Sequence, residues 1–137
     1  MRVLDMTDTL ERWSPYILAV LRIVTALIFI EHGTQKLLGF PAPPANGMPP
    51  ALSLFWFGGI LLLVGLFTRP VAFLLSGEMA VAYWMVHAPR SFFPVLNGGD
   101  PAILYCFIFL YLVFAGPGAW SIDGVLRQSG VRHAWGR

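Results

Sequence analysis

The stretch "LRIVTALIFIEHGTQKLLGF", residues 21–40, decides the fold. It is apolar and has the length of about 20 residues that a bilayer crossing needs. Yet it carries Arg22, Glu31, His32 and Lys36. A charge at the bilayer centre costs at least about 2.5–3.5 kcal/mol even on the lenient insertion scale. Such side chains face the interior of a bundle, pair with one another, or mark a site.

The rest of the chain agrees with a membrane reading. Of its 137 residues, 57% are hydrophobic and 12% charged, against about 25% charged in soluble domains. Mean hydropathy is +0.69. A small water-soluble core would leave much of this apolar surface exposed. The length suits one domain spanning 1–137. The net charge of +2 comes from scattered residues, with no Lys/Arg run. That excludes a nucleic-acid partner. The single cysteine, Cys106, offers no internal disulfide or C-x-x-C pair. Asp5, Asp8 and Glu11 are out of place in a signal-peptide n-region, so the first apolar block is expected to be retained.

Four apolar blocks, roughly 15–38, 50–68, 70–88 and 101–117, predict an all-α integral membrane four-helix bundle. "GFPAPPANGMPP" (39–50) and "HAPRSFFPVLNGGD" (87–100) read as loops, "TRP" (68–70) as a tight turn with Pro70 opening the third helix, and "GPG" (116–118) as the end of the fourth. The side holding both termini and the 68–70 turn carries Arg2, Arg12, Arg69, Arg127, Arg132 and Arg137, against Lys36 and Arg90 opposite. Both termini are therefore expected in the cytoplasm. The tail "WSIDGVLRQSGVRHAW" reads as a short amphipathic surface helix or a polar tail. Each half repeats one layout, a span with ionisable residues, a Pro-rich outer loop and a nearly uncharged span, as a duplicated hairpin would.

Depth along parallel-running helices suggests partners. Arg22 and Glu78 fall at matching depth with opposite sign and are expected to pair. His32 and His87 match near the outer edge. Arg22, Gly33 and Lys36 share a helical face with His32 at its border, and Gly33 permits close approach. Arg22, His32, Lys36, Glu78 and His87 are thus the candidate ligand-binding residues of a polar pocket between the first and third spans. A bundle-stabilising role for the Arg22–Glu78 pair, and interfacial packing for the histidines, are the competing readings. A bis-histidine haem would use both histidines. No metal motif of the H-E-x-x-H type is present, and no metal is expected. Trp56, Phe57, Tyr83 and Trp84 read as packing and interface anchors, and Cys106 as a small core residue.

The run "LRIVTALIFIEHGTQKLLGFP" and the pattern that follows resemble the DoxX family of small bacterial membrane proteins over roughly residues 16–125. The arrangement rests on Arg22, His32, Gly33 and Lys36, then Gly58, Gly59, Gly65, Arg69 and Pro70. Glu78, Tyr83, His87, Pro89, the Asn97–Gly98–Gly99 run, Gly116 and Pro117 complete it. The resemblance implies a multi-pass protein of the bacterial plasma (inner) membrane. The family takes its name from a subunit of a thiosulfate:quinone oxidoreductase. It thus implies a membrane subunit of an oxidoreductase assembly, handling a quinone or a small sulfur compound, with soluble redox partner subunits. It assigns no catalytic residue, and no cofactor beyond a quinone. A non-enzymatic anchor or scaffold, and a small-molecule carrier, are the alternatives. Membrane lipid is the surrounding partner in every case, and a homo-oligomer fits each.

Overall fold

The computed structural model describes residues 3–40 and 54–130, all-helical among those residues. The 41–53 part of the first outer loop, the tail from 131 onward and the Lys36 side chain lie outside the described residues.

Helix α1 runs Val3–Leu38 with Pro15 inside it, about 54 Å at 1.5 Å per residue. Its first turns carry Asp5, Asp8, Glu11 and Arg12, all exposed. Helix α2 is Leu54–Val64. Helix α3 is Thr68–Ala82, continued by a π-helical turn Tyr83–His87 and a 3-10 turn Ala88–Arg90. The short α4, Pro94–Asn97, precedes α5, Asp100–Ala115, and α6, Ile122–Gln128. By length and composition two helical stretches suffice to cross a membrane, Asp5–Gln35 and Thr68–Arg90. Only 28% and 22% of their apolar windows are buried. The core helix of a water-soluble protein would be mostly covered. These helices keep apolar faces outward, with Ile17, Val24, Phe73 and Val81 exposed.

One core joins four helices: Ala26 and Phe29 of α1, Leu62 of α2, Ala72, Leu75 and Met79 of α3, and Phe109 and Leu112 of α5. The most extensive helix–helix packing is α3 against α5 and α1 against α2. At the α1–α2 contact, a Cβ on Gly59 would stand 2.5 Å from Ile30 Cγ1. Between α1 and α5 the gap is filled by rings, Phe29 standing edge-on to Phe109 at 5.0 Å and to Tyr105 at 5.4 Å. Ser76 Oγ donates to Cys106 O (2.8 Å) and ties α3 to α5. Cys106 packs partly buried against the core.

Two boundaries differ from expectation. The α2–α3 turn lies at 65–67, before "TRP", because Gly65 (φ 69°) supplies the left-handed residue that reverses the chain. Helix α3 starts at Thr68, so Pro70 occupies its third position. There its missing N–H is still one that the first turn leaves unpaired. The tail forms α6 only over Ile122–Gln128. At the far end of α5, Gly116 (φ 81°) stops the helix, as "GPG" predicts.

Candidate functional site

Polar side chains gather at two opposite ends of the molecule. At one end, two connections, the α2–α3 turn and the turn after α5, meet around Arg22. Its side chain is fully buried. Nη1 donates to Pro117 O and to Ala119 O (3.3 Å), and Nη2 donates to Trp120 O (2.8 Å). The turn after α5 thus wraps the guanidinium with backbone carbonyls. That turn is sewn to α1 by Ala119 N donating to Pro15 O (2.9 Å). A Cβ on Gly118 (φ 72°) would stand 2.6 Å from the same oxygen, so the turn approaches α1 only because no side chain intervenes.

Asp123 completes this end. It is 2% exposed. Phe67 N donates to its Oδ1 (3.0 Å) and Thr68 N to its Oδ2 (2.9 Å). Its own N–H donates to Gly65 O (2.9 Å). Residue 67 has no capping side chain, being Phe at φ 50°. The carboxylate from α6 therefore caps α3 across the fold, where the N-terminal dipole favours negative charge. It is also the charge that acts on Arg22. Ser121 holds Asp123 in place by accepting from Gly124 N (3.0 Å), the N-cap of α6.

This geometry corrects the expected Arg22–Glu78 pair. The Arg22 hydrogen bonds all go to the 117–120 carbonyls, and its facing carboxylate is Asp123. Matching depth ranked only side chains, whereas carbonyls freed by a helix end take both Nη groups of the guanidinium. Glu78 is half-buried on α3, next to the core residue Met79. The helical-face expectation for α1 holds for the described positions: Arg22, Phe29 and Gly33 are all buried.

At the opposite end, His32 is half-buried and stands edge-on to Tyr105 of α5, at 5.9 Å and 83°. Its Nδ1 donates to Ile28 O (3.0 Å). Tyr105 forms one wall of a cleft of about 270 Å³ between α1 and α5, with Thr25, Ile28, Leu104 and Ile108. The cleft is open on its outer side and almost wholly apolar.

His87 belongs to a separate cap. Its Nδ1 donates to Asn97 O (3.1 Å), and its ring stacks on Tyr83 at 6.4 Å. Asn97, 2% exposed, organises the loop: Nδ2 donates to Ser91 O (2.9 Å) and Oδ1 accepts from Gly99 N (2.7 Å). A Cβ on Gly99 would meet Tyr83 Cε2 at 2.5 Å. The five expected ligand residues therefore divide. Arg22 lies at one end, His32 faces α5, and His87 sits in the loop cap. Asp123, Tyr105 and the carbonyls of 117–120 were not anticipated. Asp123 had one sequence signal, as the sole acidic residue after Asp100.

The sequence profile of the DoxX family matches residues 17–88, more than half of the chain. The chain belongs to the DoxX family. It is 47% identical over 127 residues to an uncharacterized protein of Haemophilus influenzae, covering 85% of this chain and 95% of that one. It is 27% identical over 127 residues to the inner membrane protein YqjF of Escherichia coli, covering 80% of this chain and 91% of that one. No solved structure matches the chain. Family membership, the inner-membrane relative and the outward-facing apolar helices place this DoxX protein in the bacterial inner membrane.

Proposed function

We propose that this chain is one four-span domain with both termini in the cytoplasm, serving as the membrane subunit of an oxidoreductase assembly that receives a lipophilic quinone. Helices α1, α2, α3 and α5 are the spans. The Arg22 end, with Arg12, Arg69 and Arg127, faces the cytoplasm, following the positive-inside bias. Single cysteines in a Cys106→Ala background test this. Asp8→Cys and Arg127→Cys are expected to label only from the cytoplasmic side, and Leu96→Cys only from the periplasm. Periplasmic labelling at 127 contradicts the topology.

The observation that carries the quinone reading is the His32–Tyr105 pair beside the lipid-open cleft. The apolar walls suit a ring and tail arriving from the bilayer. Tyr105 can donate its hydroxyl to a carbonyl and hold it in one orientation, and His32, fixed to Ile28 O, braces the Tyr105 ring edge-on. Lys36, one turn beyond His32, belongs to the same proposed ligand set. A cleft of about 270 Å³ is at the lower limit of small-molecule pockets, which run about 300–1,000 Å³. It therefore receives a ring without enclosing it, and a partner subunit supplies the rest of the site.

Reconstitution in nanodiscs with ubiquinone tests this. His32→Ala and Tyr105→Phe are both expected to keep normal membrane abundance. Tyr105→Phe is expected to bind the quinone about two- to tenfold more weakly, the worth of one hydrogen bond, and His32→Ala, which removes the brace on the Tyr105 ring, to weaken binding less. Unchanged binding in both variants would sink the proposal. The anchor reading would then stand on the exposed Phe92, Phe93, Val95 and Leu96 of the loop cap, an apolar face suited to a partner protein.

A further inference from the structure

Beside the Arg22 end lies a cavity of about 370 Å³ that the quinone reading does not use. Arg69, Arg127, Gln128 and Ser14 line it, with Gly118 and Gly124 between them, and no acidic side chain does. Arg69 is held in position, because its Nη1 donates to Val113 O (2.8 Å) and Phe114 O (2.6 Å) at the end of α5. Its Nε and Nη2 make no hydrogen bond to a described residue. The Arg127 guanidinium, exposed in the last turn of α6, makes none either. Two cations with free donors thus share one hollow.

The hollow continues into a groove whose walls are mostly aliphatic side chains, with Ser14 and Tyr111 adding polar surface. Through Ser14 and Leu18 it adjoins a second cavity of about 300 Å³, walled by Ile17, Leu21 and Tyr111 between α1 and α5. Residues 14, 17, 18 and 21 follow the spacing of one helical face. The level is marked by three adjacent, mutually tilted rings, Trp13 to Tyr16 at 5.6 Å and Tyr16 to Trp120 at 5.4 Å. Such rings settle at the headgroup layer.

We propose that the two adjoining cavities form a site for one anionic phospholipid. Its phosphate sits between Arg69 and Arg127, and an acyl chain lies in the α1–α5 groove. A free phosphate would satisfy the arginines and leave the groove empty. A zwitterionic lipid would fill the groove, but its own cation would oppose the arginines. Arg69 presents a planar fork that suits two phosphate oxygens, and its seat on α5 reduces the ordering needed on binding. The site is independent of the His32–Tyr105 cleft and of any quinone.

The test uses the full chain in nanodiscs of equimolar phosphatidylglycerol and phosphatidylcholine, released into a mass spectrometer with its retained lipids. Phosphatidylglycerol is expected to be retained preferentially. Arg127→Gln removes no described intramolecular hydrogen bond and is expected to lower that preference about fivefold, the worth of one interfacial basic residue. Arg69→Gln also removes the α5 carbonyl contacts, so it is read only alongside its abundance. Ile17→Trp narrows the groove from an exposed position and is expected to reduce retention while leaving both arginines in place. Millimolar inorganic phosphate is expected not to displace the lipid. Equal retention of the two lipids, a preference unchanged by Arg127→Gln, or full displacement by phosphate alone would each overturn the proposal.

Discussion

Arg22→Met is expected to leave little folded protein in the membrane. The substitution keeps the length of the stem and removes every donor to Pro117, Ala119 and Trp120. It strands those carbonyls, and it leaves Asp123 buried without the cation it acts on. Each buried acceptor left unsatisfied costs about 1–3 kcal/mol, against a total stability of about 5–15 kcal/mol. Arg22→Lys is expected to recover only part of the loss. A lysine keeps the charge, but a single ammonium cannot serve carbonyls on three residues as a planar guanidinium does. The measurement is the monodisperse fraction recovered from membranes after detergent extraction, compared with the unaltered chain. Normal recovery of Arg22→Met would remove the reason for placing this side chain at the centre of the fold.

Asp123→Ala is expected to come second in severity. Two backbone N–H groups, Phe67 N and Thr68 N, lose their acceptor, and Phe67 must hold its φ of 50° without help. An unsatisfied buried donor costs about 1–3 kcal/mol, and of the two only Thr68 N is fully buried. A loss of about 2–4 kcal/mol follows. Asp123→Asn keeps one acceptor oxygen and is expected to fall between the two. The unfolding free energy of the three purified proteins in the same micelle checks this order. Equal stability of Asp123→Ala and the unaltered chain would mean that α6 contributes nothing to capping α3.

The sequence showed the helices better than their ties. Runs of apolar residues between Pro/Gly punctuation located α1, α3 and α5, because a chain in lipid must close its backbone hydrogen bonds within each segment. The α2–α3 turn was set three residues late. "TRP" drew attention to proline, while the chain reverses on Gly65, whose left-handed φ is invisible without the turn geometry. Helical periodicity placed Arg22 and Gly33 on a buried face and His32 at its border. It could not show what lay opposite. Arg22 is answered by main-chain carbonyls, which have no sequence signature, and His32 by Tyr105 from a span that reads as uniformly apolar. Asn97 was legible as part of an Asn-Gly-Gly turn but not as the side chain that organises the cap around His87.

The buried cation of α1 belongs with Asp123 and the 65–68 and 117–120 turns. A double-mutant cycle on unfolding free energy tests this most directly, with Arg22→Met, Asp123→Ala and both together. A coupling of about 0.5–3 kcal/mol is expected, with the double variant less damaged than the sum of the singles. Additivity within about 0.5 kcal/mol, with the coupling found instead between Arg22 and Glu78, would contradict it.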